Sequence, residues 1–245
     1  KKVLSSANIT YVKWDMNRNM TEIGSAGFGA DRQMEVPHRY ILGLYSMLEK
    51  LTSEFPNILF ESCASGGGRF DPGMLYYMPQ TWASDNSDAI ERLNIQYGTS
   101  LVYPIMTMGA HVSAVPNHQL RRVTSLDTRA NVAIFGAFGY ELDLNTMDSY
   151  EKEVIKEQIK FYKENRSLIR TGDFYRLLSP FESNETAWMV VSKDKTEVVI
   201  GYYQVLSKSN HGFKTLKLQG LDEEIEYFSI PLTINNDELN YTLTY

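Results

Sequence analysis

The hydrophobic pattern of residues 1–170 alternates between short apolar runs and longer stretches in which apolar residues recur every three or four positions. Short apolar runs are typical of buried strands, and the longer spacing is typical of amphipathic helices. Two short helices are predicted over residues 89–97 and 120–129. Five runs are predicted as strands: residues 9–12, 57–61, 78–82, 100–107 and 131–136. Strands that alternate with helices predict a parallel barrel or sheet, an α/β fold.

Two longer helices have clear signals at their ends. Pro37 suits the first turn of one helix and Pro56 ends it. Asp148 and Glu151 form a capping box before the other, which is predicted to run to about Ile169. The apolar stripe of the first helix, which should pack on a sheet, consists of Ile41, Leu44, Leu48, Leu51 and Phe55.

The pattern changes near residue 171, after which β-rich runs are separated by polar turns. Such a pattern predicts a small antiparallel β-sandwich. We therefore divide the chain into an α/β part, residues 1–170, and an all-β part, residues 171–245, in which we expect no chemistry. The predicted β-runs of the second part are residues 187–191, 197–203, 213–218, 226–230 and 241–245.

Composition narrows the class of protein. The 245 residues carry a net charge of −6, are 43% hydrophobic and have a pI near 5.3, which describes a globular protein with a sizeable core. The acidic balance and the absence of a Lys/Arg run argue against nucleic acid or a membrane as partner. Cys63 is the only cysteine, so an intrachain disulfide is excluded.

Asp15 is the first candidate for chemistry, because it follows the first predicted strand and has Lys13 and Arg18 nearby. In parallel α/β sheets and barrels, residues at the carboxyl ends of strands face the ligand crevice. Asp15 is therefore a candidate nucleophile or base. The alternative for a lone Asp is a turn or a helix cap with a nearby salt bridge.

Asp85 is the second candidate, in the loop after the third predicted strand. Paired carboxylates at one crevice suit glycosidic cleavage, in which one carboxylate attacks the anomeric carbon and the other protonates the leaving oxygen. Asp88 competes for this second role. Asp88 followed by Glu91 indicates a helix N-cap, which leaves Asp85 free for chemistry.

Other polar clusters give weaker signals. The loop Ser65–Arg69 lacks a phosphate-binding motif, so its glycines favour backbone approach to a neutral ligand. Cys63 has no identifiable catalytic partners and is interpreted as a polarisable wall residue. Asp85–Asp88 lacks the turn glycine of a calcium loop, and His111 and His118 lack metal-ligand spacing. We predict neither a metal nor a cofactor.

Four motifs together closely resemble those of the glycoside hydrolase family 36 α-galactosidases, the melibiases. The resemblance implies a retaining α-galactosidase that removes terminal α-galactosyl groups from melibiose- or raffinose-type oligosaccharides. It also implies a (β/α)8 barrel followed by a C-terminal β-domain. Separately, we expect a bacterial, cytoplasmic location. The motifs are Lys13–Arg18, Glu61–Asp71, Trp82–Arg92 and Met108–His118.

Carried over by motif, Asp15 resembles the nucleophile and Asp85 the acid/base. The residues that the resemblance implies as contacts to the sugar are Lys13, Trp14, Asn17, Cys63 and Trp82. The oligosaccharide is the expected ligand.

The front of the family pattern is missing from this chain. Residues 1–170 are short against the ~250 of a complete barrel, and five strands are predicted where eight are required. We therefore expect a C-terminal fragment that is silent alone and that either self-associates as a homo-oligomer or binds the missing N-terminal half. The alternative is a fragment that binds sugar or self-associates without catalysis.

Overall fold

The computed structural model describes residues 1–17, 21–207, 209–210 and 212–230. Its strands are β1 (Tyr11–Asp15), β2 (Leu59–Cys63), β3 (Gln80–Trp82), β4 (Met108–Ser113), β5 (Ala137–Glu141), β6 (Asp173–Leu178), β7 (Glu185–Val191) and β8 (Val198–Gln204). Its α-helices are α1 (Val36–Glu54), α2 (Pro72–Tyr77), α3 (Ala89–Ser100), α4 (Leu126–Ala133) and α5 (Ser149–Thr171). Short 3₁₀ helices span Ala30–Glu35, Ile105–Thr107 and Leu144–Thr146.

The first five strands form one parallel sheet in the order β1-β2-β3-β4-β5. A helix follows each strand, so successive strands lie side by side and their carboxyl ends meet at one edge. This half-barrel confirms the predicted α/β fold with five C-terminal barrel strands. Among the described residues, β1 pairs with β2 alone.

Two of the predicted strands were misplaced along the chain. The run at 100–107 forms a turn and a 3₁₀ helix, and the run at 131–136 covers the end of α4 and the turn after it. In both cases the strand begins directly after the predicted run. A short apolar run cannot distinguish a buried helix from a strand, and α4 is buried against β4. The helix predicted over 120–129 begins only at Leu126.

The helix ends follow the signals in the sequence. α1 has Pro37 in its first turn and ends before Pro56. At the start of α5, the Asp148 carboxylate accepts from the backbone N–H of Glu151 (2.8 Å), whose carboxylate accepts from the N–H of Asp148 (3.1 Å). The predicted capping box is thus confirmed. The apolar face of α1 packs into a cluster of Leu44, Leu48, Phe60, Met74 and Met78.

β6, β7 and β8 form a separate antiparallel sheet, which confirms the antiparallel character predicted for the C-terminal part. Trp188 and Val190 of β7 are buried in the same cluster as Met108 and Phe135 of the first part. The runs at 213–218 and 226–230 form no strand, and the run at 241–245 lies outside the described residues. No helix in the described part of the chain could cross a membrane.

Candidate active site

The carboxyl ends of β1, β2 and β3 bring the predicted site residues together. Side chains alternate between the two faces of a strand, so Lys13 and Asp15 share one face of β1. In the register of the sheet, Lys13 lies beside Glu61 and Asp15 beside Cys63. Glu61 in turn lies beside Gln80 of β3.

Asp15 is fixed by its neighbour Asn17. The Asn17 side-chain amide donates to Asp15 Oδ2 over 2.9 Å. Asn17 Oδ1, the oxygen of the same side-chain amide, accepts from the backbone N–H of Ser65 (2.9 Å) and from the Ser65 hydroxyl (3.1 Å). Asn17 therefore joins the end of β1 to the loop after β2.

These contacts keep Asp15 ionised. The Asn17 hydrogen bond is the largest of the causes that lower the pKa of Asp15, and Cys63 and the Lys13 charge add to it. Burial raises the pKa of the Cys63 thiol, and the Asp15 carboxylate acts in the same direction. The structure therefore favours a protonated thiol in the wall of the site over a thiolate nucleophile. Arg18, the second predicted cation, lies outside the described residues.

Sequence reasoning missed Arg69, which fastens β1 to β2. Its guanidinium is buried, and Nη2 donates to the backbone carbonyl oxygens of Cys63 (2.9 Å) and Trp14 (3.3 Å). Burial lowers the pKa of Arg69. The sequence signal that could have indicated this role is a single cation directly after three glycines. A buried arginine needs backbone carbonyl acceptors in place of water, and a glycine-rich loop leaves backbone accessible.

The glycine-rich loop lies against the chain that follows β3. Gly66 has φ +85°, and a Cβ there would lie 2.7 Å from the Cα of Ser84. The backbone N–H of Gly67 donates to the carbonyl oxygen of Ala83 (3.1 Å). We expected these glycines to admit a ligand, but in this structure they admit the neighbouring backbone. The loop thereby connects the Asp15 side of the site to the Asp85 side.

Trp82 is enclosed by protein. Its ring stacks on His111 with 4.5 Å between centroids, and Lys13 Nζ and Arg92 Cζ lie 4.8 and 4.6 Å from the ring centroid. Its indole N–H donates to Asp85 Oδ1 over 3.1 Å. Burial lowers the pKa of His111, so the stacked imidazole is neutral near pH 7. Trp82 thus orients Asp85 and supports Lys13.

The structure separates Asp85 from Asp88. Asp88 is buried, and its carboxylate accepts from the backbone N–H groups of Ile90 (3.0 Å) and Glu91 (3.1 Å) at the start of α3. It also pairs with Arg122. Asp88 is therefore the predicted helix cap, whereas Asp85 is exposed.

Trp14 is the predicted site residue that the structure does not bring to this group. It lies between Lys13 and Asp15 in sequence, so its side chain points to the other face of β1. There it packs in the cluster beneath α1 with Leu44 and Phe60. The residues that do come together are Lys13, Asp15, Asn17, Cys63, Trp82 and Asp85.

The arrangement has a definite chemical character. An ionised carboxylate stands at the end of β1, and a second carboxylate follows β3, two strands away. Neighbouring strands lie about 4.8 Å apart, so β1 and β3, which precede the two carboxylates, are about 10 Å apart. A parallel β/α sheet with paired carboxylates at this edge is typical of a barrel glycoside hydrolase.

Comparison with known families agrees with this class. Residues 1–172 match the Melibiase family, and residues 185–242 match the glycosyl hydrolase family 36 C-terminal domain. The chain belongs to the melibiases of glycoside hydrolase family 36, and the resemblance inferred from the four motifs is confirmed.

Characterised relatives are considerably longer than this chain. It is 60% identical to α-galactosidase AgaA of Geobacillus stearothermophilus over 98% of this chain and 33% of that protein. It is 51% identical to α-galactosidase 1 of Pediococcus pentosaceus over 94% of this chain and 31% of that protein. A crystal structure of an AgaA variant with raffinose superposes with a TM-score of 0.88 at 62% identity, over 91% of this chain and 31% of that one. The chain thus spans about a third of the relatives it matches.

Proposed function

We propose that this chain forms the C-terminal third of a retaining α-galactosidase that hydrolyses terminal α-galactosyl groups of melibiose- and raffinose-type oligosaccharides. The observation that carries the proposal is the pair of oriented carboxylates: Asp15 held by Asn17, and Asp85 held by Trp82. AgaA, at 62% identity, has been crystallised with raffinose and, in a second variant, with stachyose.

In the proposed double displacement, the Asp15 carboxylate attacks the anomeric carbon while Asp85 gives its proton to the leaving glycosidic oxygen. The carbon–oxygen bond to the leaving sugar breaks as the galactosyl ester on Asp15 forms. Asp85, now ionised, then takes a proton from water, which displaces Asp15 and restores both carboxyl groups to their initial states. Two inversions at one carbon give net retention of configuration.

The AgaA variants support the choice of these two residues. The raffinose complex carries an Asp→Asn substitution and the stachyose complex an Asp→Ala substitution. The separation of those two aspartates along AgaA equals the separation of Asp15 and Asp85 in this chain. An oligosaccharide stays intact in a crystal when a carboxylate that cleaves it is replaced, so the equal spacing supports both assignments.

Lys13, Asn17 and Cys63 are the proposed contacts to the galactose hydroxyls, since they surround Asp15 on the same edge of the sheet. Trp82 contributes by fixing Lys13 and Asp85. Trp14 is left out of the sugar contacts, because it packs beneath α1. A cytoplasmic location stays a prediction.

We further propose that residues 1–245 alone are inactive. A nucleophile accelerates little unless the sugar is held in a near-attack geometry, and the chain has about a third of its relatives' length. β1 leaves an unpaired edge among the described residues, and such an edge recruits another strand. The isolated chain should therefore self-associate or bind the remaining part of the enzyme.

The test is an assay of a chromogenic α-galactoside with residues 1–245, with the full-length protein that contains them, and with the two parts mixed. Activity in the full-length protein or the mixture, and none in the isolated chain, is the expected result, with light scattering to follow association. A fully active monomer of residues 1–245 would overturn the proposed dependence on further residues. An inactive full-length protein would favour the non-catalytic alternative.

Proton NMR of the first-formed sugar tests the stereochemical part. Retention predicts that α-galactose appears first and then mutarotates. Initial release of β-galactose would require an inverting mechanism and would remove the nucleophilic role from Asp15.

A further inference from the structure

Glu61, in the middle of β2, is a buried carboxylate for which the reaction above has no role. Its side chain is 0% exposed. One oxygen, Oε2, accepts from the Tyr11 hydroxyl and the Gln80 amide. The other, Oε1, has no hydrogen-bond partner among the described residues. The Lys13 ammonium nitrogen Nζ lies 3.7 Å from Oε1.

A buried carboxylate in the interior of a sheet is energetically unfavourable. Removing a charge from water is unfavourable, and the attraction of one cation compensates only when the remaining lone pairs also find donors. Hydrophobic residues of similar volume often give a fold at least as stable. Because Oε1 lacks a donor, the position of Glu61 needs an explanation other than stability.

Lys13 supplies that explanation, because its long side chain would otherwise sample many rotamers. The Lys13 side chain is 34% exposed, so it is not held by burial alone. Its ammonium group lies between the Glu61 carboxylate and the face of Trp82, 4.8 Å from the ring centroid. From this place the charge of Lys13 helps to lower the pKa of Asp15.

We propose that Glu61 is a positioning residue that holds the Lys13 ammonium group against Trp82, so that one cation is fixed between the Asp15 and Asp85 sides of the site. Tyr11 and Gln80, on the strands at either side, orient the Glu61 carboxylate for this task. The catalytic consequence rests on the proposed function, because it assumes that Lys13 contacts the sugar.

The kinetic test is a double-mutant cycle in the full-length enzyme with Glu61→Gln, Lys13→Met and both together. Glu61→Gln should lower kcat/KM by about 10- to 100-fold, since small displacements of a positioned group can cost about that much. If Glu61 acts through Lys13, the double variant should be no worse than Lys13→Met. Losses that multiply in the double variant would overturn the proposal.

Asp88→Asn is the matched control, because it removes another buried carboxylate that caps α3 and pairs with Arg122. Asp88→Asn should lower the melting temperature. Any loss of kcat/KM that it causes should multiply with the loss caused by Lys13→Met, because Asp88 does not act through Lys13. If Glu61→Gln does not fold, Glu61→Asp replaces it in the double-mutant cycle. This variant keeps the negative charge but moves it away from Lys13 by the length of one methylene group.

Crystal structures of the wild-type protein and Glu61→Gln supply a readout that does not depend on activity. We expect the Lys13 ammonium group to leave the face of Trp82 in the variant. If it stays about 4.8 Å from the ring centroid, as in the present structure, Glu61 does not position it. An inactive wild-type enzyme with a displaced Lys13 in the variant would instead refute the proposed function and retain the positioning role.

Discussion

The parallel sheet and the antiparallel sheet treat buried polar groups differently. In the antiparallel sheet, the central strand β7 is buried from Thr186 to Val191 and is mostly apolar. In the parallel sheet, β2 buries Glu61 and Ser62 beside Phe60 and Cys63. Six buried side-chain polar atoms lack a hydrogen-bond partner among the described residues, and five of them belong to the parallel part: those of Glu61, Ser62, Arg69, Thr81 and Ser113.

The unequal number of unpaired buried polar atoms indicates different requirements in the two sheets. Buried polar atoms without partners lower the stability of the fold. Where stability is the only requirement, apolar side chains are therefore expected in their place. Local departures from good packing are expected where function requires particular side chains. The difference agrees with the proposal that the antiparallel sheet serves stability and that the carboxyl edge of the parallel sheet carries the chemistry.

The largest difference in kcat between the two sheets is expected when one exposed carboxylate is replaced in each. Asp15→Asn in the full-length enzyme should lower kcat by about 10⁴-fold or more, because it removes the proposed nucleophile. Its melting temperature should change little, since Asp15 is exposed. The control is Asp173→Asn on β6, which removes an exposed ion pair with Lys193 and should leave kcat unchanged. Equal activity of the two variants would mean that Asp15 has no special role.

A smaller loss is expected for Asp85. For substrates with poor leaving groups, Asp85→Ala should lower kcat by about 10²–10⁴-fold, and for a good leaving group much less, because such a group departs without a proton. Asp88→Ala should instead cost about 0.5–2 kcal/mol of stability from the lost cap, with no dependence on the leaving group. The reverse outcome would exchange the two roles.

Trp188→Ala examines the antiparallel sheet itself. Trp188 is 1% exposed and packs on Phe135 of the parallel part, so its removal should cost about 3–5 kcal/mol of unfolding free energy. Because Trp188 packs on Phe135, Phe174 and Tyr203, and none of these is a proposed site residue, kcat per folded molecule should be unchanged. Phe181→Ala, an exposed aromatic residue before β7, should change stability by less than about 0.5 kcal/mol. A large loss of kcat in Trp188→Ala would show that the antiparallel sheet affects catalysis as well as stability.

Asn17→Ala should change the pH dependence of the reaction. The Asn17 hydrogen bond favours the ionised form of Asp15, so its loss should raise the pKa of Asp15. The nucleophile would then become protonated at higher pH, and the acid limb of the kcat/KM profile should move to higher pH. Asn145→Ala removes a comparable amide–carboxylate bond to Asp143 elsewhere and should leave the limb in place. A limb that does not move would exclude Asn17 as the cause.

Sequence was sufficient for features that depend on local pattern. The five parallel strands, the cap at Asp88 and the capping box at Asp148 all follow from spacing and residue type. Two strands were displaced because the apolar runs directly before them, one in a turn and a 3₁₀ helix and one at the end of α4, have the composition of strands. Local pattern could also have told that Trp14 points away from Lys13, since alternate residues of a strand face opposite sides.

Features that depend on distant contacts could not be predicted. The loop glycines are required by the backbone at Ala83 and Ser84, which only the fold brings near. Glu61 ends a predicted apolar run, and its charge was the only local signal. Its partners Tyr11 and Gln80 come from two other strands, so its role emerges only from the register of the sheet.

The proposed mechanism requires a covalent bond between Asp15 and galactose. The direct measurement is to treat the full-length enzyme with a fluorinated galactosyl fluoride, which reacts with the nucleophile and then hydrolyses slowly, and to locate the added mass by peptide mass spectrometry. If Asp15 is the nucleophile, one fluorogalactosyl group per active site should be attached to Asp15, and none should be found in Asp15→Asn. A label on Asp85 or Glu61, or turnover with no covalent species, would contradict it.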